Sequence, residues 1–342
     1  MKEAPGDVIV QKAFEKHIPL YAHIELTYRC NLRCVHCFIP EGLRNSDEEL
    51  STEQVFDIID QLADAGTLKL TLSGGEPLFR QDFFAIAEYA RNRNMALGII
   101  SNGTLIDEAV VKRFKQLHFN DIAISLYGLT PQTHEAVTGV PGSLSRTVRA
   151  IKLLKENGFK VTIKTPVMKQ NLCQVPELDN WCQALELGFN PNPIITCDIN
   201  GSDRPRQHSI SEQGLRDFLV WQAKNEKDIS TLTTVCNSGI CVVTISAQGE
   251  VYPCSVLRMR AGSLTKERFA RIWADSPVLK KLRRTRFEDF RECPQCHLLE
   301  LCPRCPGNSF LEQGDFLAPS REACKVARIR KEIIDEKAIS KA

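Results

Sequence analysis

The stretch Tyr28-Arg-Cys-Asn-Leu-Arg-Cys-Val-His-Cys-Phe38 places Cys30, Cys34 and Cys37 in a C-x3-C-x2-C run, directly after a short apolar strand pattern, Ala22–Thr27. Three thiols this close cannot all join one disulfide, and a closed zinc site needs four ligands. Soft sulfur donors select iron–sulfur clusters or zinc. Three cysteines on one loop suit a 4Fe–4S cube that keeps one iron free of protein. The competing reading is a zinc knuckle whose fourth ligand, such as His36, lies nearby.

A second strand pattern, Leu68–Ser73, ends in Gly74-Gly75-Glu76-Pro77. Two glycines let a ligand lie against the backbone, and the carboxylate after them can hold an ammonium. The two motifs together resemble the radical S-adenosylmethionine (SAM) superfamily. That resemblance implies that the open iron of the Cys30, Cys34 and Cys37 cluster binds the amino and carboxylate groups of SAM. It implies that Gly74, Gly75, Glu76 and Pro77 contact the methionine amino group. Polar positions near the SAM carboxylate and ribose would fall at Ser101, Asn102 and Ser125, with Ser125 the better match to a ribose contact. Arg146 and Lys164 are candidates for the same carboxylate, but read more simply as solvated or substrate-side charges. His36 and Phe38 read as packing inside the cysteine loop.

The chain is long enough for one large α/β domain plus a smaller one. A formal net charge of +2 gives no electrostatic case for nucleic acid or an anionic membrane as principal partner. The N-terminus carries no positive-then-apolar export signal and no apolar run approaches spanning length, so the expected location is cytoplasmic. Fourteen cysteines in such a chain read as metal ligands rather than disulfides.

Residues 1–21 are expected to form a lead-in strand or arm. From Ala22 onward strand and helix patterns alternate. The first helix opens at Ser51-Thr-Glu-Gln54, a capping-box match, and keeps Val55, Ile58, Ile59 and Leu62 at helical spacing. Six strand–helix repeats with short turns imply a parallel sheet with helices outside. Periodicity leaves open whether that sheet is doubly wound or a partly closed barrel; the family resemblance selects a partial (β/α)6 barrel of the TIM type over residues 22–230. In both, ligand groups gather at the strands' C-terminal ends, where these motifs lie.

Beyond Thr234 the composition changes, and a boundary is expected near 225–235. Cys236, Cys241, Cys254, Cys293, Cys296, Cys302, Cys305 and Cys324 follow. The gap between Cys296 and Cys302 is too short for a zinc ribbon, and eight thiolates match two fully ligated 4Fe–4S clusters. Structural zinc, or one cluster with spare thiols, is the alternative. The pattern resembles the SPASM extension of radical SAM maturases over residues 231–342, with one departure: Cys302 and Cys305 stand one residue closer than is common. By that resemblance Cys236, Cys241, Cys254 and Cys305 hold the cluster nearer the barrel, and Cys293, Cys296, Cys302 and Cys324 the outer one. Val242–Ile245 and Glu250–Tyr252 read as a hairpin carrying Cys241 and Cys254 at its ends. Cys182 reads as a buried small hydrophobe; Cys173 and Cys197 fit no group.

The resemblance implies three 4Fe–4S clusters and SAM as cofactors. One electron from an external donor such as flavodoxin or ferredoxin would split SAM to methionine and a 5′-deoxyadenosyl radical, which takes a hydrogen atom from the substrate. The auxiliary clusters would then accept the remaining electron, giving a net oxidative crosslink or dehydrogenation. The expected substrate is a ribosomally made peptide; a tetrapyrrole or other cofactor precursor is the alternative. An electron-transfer or scaffold iron–sulfur protein without SAM chemistry is disfavoured by the intact Gly74-Gly75-Glu76-Pro77. Sulfatase maturation is marked down, because that family carries an Asp as base where this chain has Ser255. Residues 1–21 are too few for a leader-binding domain, so leader recognition is expected to need a separate protein, unless the substrate is small.

Overall fold

The computed structural model describes residues 5–45, 48–225 and 236–339. Strands β1 (Tyr21–Thr27), β2 (Lys69–Gly74), β3 (Ala96–Ser101), β4 (Phe119–Ser125), β5 (Val161–Pro166) and β6 (Gly188–Asn192) pair in parallel, each with the next. Helices fill the crossovers, and the sheet stays open, as a partial barrel does.

The alternation along each strand sets two environments. Ile24, Leu26, Leu70, Leu72, Leu97, Ile99, Ile122, Ile124 and Ile163 face the helices and form the main core. The opposite face is polar, with His23, Ser73, Ser125 and Lys164 among its residues. The helix Thr52–Asp64 shows how directly local chemistry builds a wall of the barrel. Ser51 accepts from the Gln54 backbone while Gln54 reaches back to the Ser51 N–H, and Val55, Ile58, Ile59 and Leu62 are buried as their spacing predicts. Each such side chain contributes about 1.5–3 kcal/mol of burial.

Three features depart from expectation. Pro5–Lys16 is a helix rather than a strand or arm; its Ala13 packs with Leu20 and Cys241. The capped helix Pro131–Thr138, with Thr130 as N-cap and Gly139 at φ 68° as C-cap, was not legible because it is short and carries few apolar positions. Strand β7 (Val242–Ile245) lies parallel on the free edge of β1, with Tyr21 opposite Val242 and Ile24 opposite Ile245. It then turns into β8 (Glu250–Tyr252) and β9 (Gly262–Ser263), both antiparallel. The hairpin is therefore where it was expected, but one sheet runs through barrel and extension. The boundary expected near 225–235 falls almost wholly outside the described residues. The last helix, Arg321–Ile339, returns to the barrel side, where Val326, Ile329 and Ile333 pack on Leu215, Phe218 and Leu219.

Candidate active site

At the C-terminal ends of β1–β5 lies a cavity of about 340 Å³ lined by Cys30, Cys34, Cys37, Gly74, Gly75, Ser101, Asn102 and Ser125. Residues from four separate stretches of sequence thus share one wall. Glu76 and Pro77 do not join them. Glu76 is fully buried behind the wall, accepting from Ser101 Oγ at 2.9 Å, the Asn102 N–H at 2.8 Å and the Leu78 N–H at 3.2 Å. It thereby braces Ser101 and Asn102, two polar positions of the cavity wall. Burial lifts its pKa to about 7, against the lowering effect of those three donors.

The two glycines, which line the cavity, also face the backbone of the neighbouring strand exit. A Cβ on Gly74 would come within 2.1 Å of the Thr27 carbonyl, and one on Gly75 within 2.2 Å of the Arg29 carbonyl. The space beside them is filled by the exit of β1, to which Gly75 and Glu76 donate backbone hydrogen bonds of 2.7 and 2.9 Å. The double glycine clamps the root of the cysteine loop. The far side of that loop is tied down by Arg33 and Val35, whose N–H groups donate to the Thr138 and Val137 carbonyls. Asn102 closes a turn with Thr104, and its Nδ2 donates to Asn31 Oδ1 at 2.9 Å and reaches Cys30 Sγ at 3.8 Å. It is both a turn residue and a support of the loop.

Burial pushes the Cys30 thiol up to about 11 and, with Cys37 and Cys30 adding to burial, the Cys34 thiol up to about 12. Such thiols deprotonate only when a metal takes the proton's place. Among the described residues, no three His, Cys, Asp or Glu side chains are gathered closely enough to hold a single ion. The donors fit a group that spreads its ligands over several metals, with chemistry suited to iron and sulfide. His36 belongs to the wall, edge-on to Tyr127 at 5.1 Å, with Nδ1 buried and lacking a hydrogen-bond partner. Phe38 is part of the same wall.

Among the described residues no Asp or Glu lines this cavity, whereas Lys164, Arg44, His23 and His36 do; Arg146 does not. Burial holds both histidines near 4, hence neutral. Lys164 stands beside Ser125 in the strand register.

Sequence reasoning missed the polar link between the two cysteine regions. Arg258, in the loop after Cys254, grips the wholly buried Glu25 of β1 through both carboxylate oxygens, and Tyr28 Oη donates to the same carboxylate at 3.1 Å. Phe38 and Tyr252 lie against the guanidinium at 5.9 and 5.0 Å. No local pattern signals a pair 233 residues apart. Ser255 reaches the cavity itself, so the position singled out for sulfatase maturation faces the site with a hydroxyl.

The C-terminal cysteines fall into two neighbourhoods. Burial, then Cys324, Cys293 and Cys296, push the Cys302 thiol up to about 11. Burial raises Cys305, with Cys254 and Cys236 adding to it; Cys241 is raised by burial and then by Cys236. Of the remaining cysteines, Cys182 is core, Cys197 is buried and donates to Asp203, and Cys173 is exposed.

The family model of the radical SAM superfamily matches residues 24–182, and that of the SPASM iron–sulfur cluster-binding domain matches residues 236–297. The chain is 29% identical over 334 residues to an AdoMet-dependent heme synthase of Methanosarcina barkeri, covering 86% of this chain and 93% of that protein. It is 30% identical over 312 residues to the mycofactocin maturase MftC of Mycolicibacterium smegmatis (83% and 77% covered). It is 26% identical over 321 residues to a PqqA peptide cyclase of Granulibacter bethesdensis (87% and 85% covered). Among solved structures, Streptococcus suis SuiB bound to its precursor peptide SuiA shares the fold, with a TM-score of 0.66 at 18% identity over 95% of this chain and 82% of that one.

Proposed function

This chain belongs to the radical SAM superfamily and carries a SPASM extension, and from that premise we propose that it is a maturase acting on a ribosomally made peptide. The observation that carries the reading is the convergence of Cys30, Cys34 and Cys37 with Gly74, Gly75, Ser101, Asn102 and Ser125 on one cavity. In this reading the three thiols hold the SAM-binding cluster, and the two neighbourhoods of four thiols each hold one auxiliary cluster. When bound, the first cluster and SAM supply a 5′-deoxyadenosyl radical that takes a hydrogen atom from the substrate.

The protein's part is to orient and to exclude water. Ser101 and Asn102, fixed by Glu76, and Ser125 present polar groups to the methionine and ribose portions of SAM. Leu32, Ile39, Ile100 and Ile195 supply the apolar wall. Lys164 faces the cavity, among whose described lining residues there is no acidic side chain, which suits an anionic group on SAM or substrate. Ser255, unlike a carboxylate, is no general base at neutral pH, and this supports a reaction other than sulfatase maturation.

Among the described residues no helix is long and apolar enough to cross a membrane. A cytoplasmic protein reduced by a flavodoxin or ferredoxin, with a separate leader-binding partner, completes the proposal. A second reading, modification of a tetrapyrrole or other cofactor precursor, is favoured by the heme synthase relative, which matches over 93% of its own length. Both are tested in one assay: the anaerobically reconstituted, reduced protein is given SAM with either a short peptide encoded beside its gene or an iron porphyrin. Loss of two hydrogens from the peptide is expected. Modification of the porphyrin alone would overturn the peptide assignment, and no 5′-deoxyadenosine with either would overturn the radical reading.

A further inference from the structure

Arg304 occupies the seam between the two C-terminal thiol groups. It stands between Cys302 of one group and Cys305 of the other, so chain connectivity alone sets it at their junction. Its guanidinium carbon lies 3.6 Å from the Phe290 ring centroid and 5.3 Å from that of Phe287. Two aromatic faces fix the plane of the group and shield it from water. Thiols of both groups are within electrostatic reach: Cys293 and Cys302 on one side, Cys236 and Cys305 on the other. No carboxylate is paired with it among the described residues, and its Nη1 is buried without a hydrogen-bond partner.

Arg304 is half-buried, and a permanent cation with a buried, unmet Nη1 donor is costly unless something compensates it. Metal-free thiols do so poorly. Clusters ligated by four thiolates would do so well, since they carry net negative charge and present sulfur acceptors. Reduction adds a further negative charge, so a fixed cation nearby favours the reduced form and raises the potential. The guanidinium fork also offers several donors in one plane, which a lysine does not.

We propose that Arg304 bridges the two auxiliary clusters, donating a hydrogen bond to sulfur and holding both reduction potentials above those that the thiolates alone would set. This rests on the reading that each thiol group holds a cluster, and iron content tests that reading separately: about twelve irons per chain are expected, and about four would refute it before Arg304 is considered.

The deciding experiment is a redox titration of reconstituted Arg304→Met followed by EPR. With iron content retained, the reduction equilibrium of both auxiliary clusters should shift about tenfold toward the oxidised form, about 59 mV for one electron, while the SAM-binding cluster stays put. Unchanged potentials, or a shift in one auxiliary cluster only, would overturn the bridge. Should Arg304→Met lose iron, wild type decides: with arginine labelled by nitrogen-15 in its guanidino group, pulsed EPR should detect nitrogen coupling at both reduced auxiliary clusters. Absence of that coupling overturns the proposal.

Discussion

The two cysteine regions solve the same problem in opposite ways. Cys30, Cys34 and Cys37 lie within eight residues and open onto one cavity, their loop held at its root by the exit of β2 and on its far side by Val137 and Thr138. The eight C-terminal cysteines span residues 236–324, and each neighbourhood draws on distant stretches, as Cys302 does with Cys324 and Cys305 with Cys236. A site with an open corner needs a rigid short loop, and the barrel supplies it. A fully ligated site needs only that four thiols meet, so hairpin, turns and a terminal helix can each bring one. In the proposed function, local order goes with reactivity and long-range assembly with storage of charge.

The sharpest way to break this contrast is to remove the first set. Cys30→Ala, Cys34→Ala and Cys37→Ala together should lower 5′-deoxyadenosine formation by at least ~1000-fold while leaving about eight irons per chain. Cleavage that persists would move the reactive site elsewhere. Next comes the link between the regions. Arg258→Met removes the cation from the wholly buried Glu25, leaving it only the Tyr28 hydroxyl, and should cost about 3–5 kcal/mol in chemical denaturation. A smaller loss would mean that the two regions are energetically separate. Cys302→Ala should reduce iron to about eight per chain and impair substrate oxidation more than SAM cleavage. Equal losses would erase the division of labour.

A smaller effect concerns the wall. Burial raises Glu76 from an ordinary 4.5 to about 7. Its folded form therefore holds the proton more tightly than the unfolded chain does. The associated stability is complete below about pH 4.5 and declines as pH rises through 7, by about 3 kcal/mol in all. Glu76→Gln should flatten that slope in the metal-free protein, as read from denaturation midpoints across the range; an unaltered slope would show that Glu76 stays ionised.

Much of this was legible from residue order. The capping box at Ser51, the strand patterns of β1 and β2 and the C-x3-C-x2-C run are local signals, and both strands formed within one residue of their expected bounds. Which thiols lie near one another, Cys324, Cys293 and Cys296 about Cys302 and Cys254 and Cys236 about Cys305, is a long-range matter that spacing alone does not fix. What was not legible depends on contacts that no short window holds. That Gly74 and Gly75 lie tight against the Thr27–Arg29 backbone depends on a neighbouring strand. That Glu76 braces Ser101 and Asn102 depends on the third strand's exit, 25 residues on. Glu25 looks like an ordinary strand-end acid until Arg258 arrives from the extension.

The seating of β7 on β1 carries a further consequence. A version of this protein cut off after the sixth strand would bare a row of unsatisfied amides and carbonyls along Tyr21–Ile24, the kind of margin onto which a stray chain adds itself. The C-terminal extension thus shields the margin of the barrel once it has folded onto it, and that margin stays open until β7 arrives.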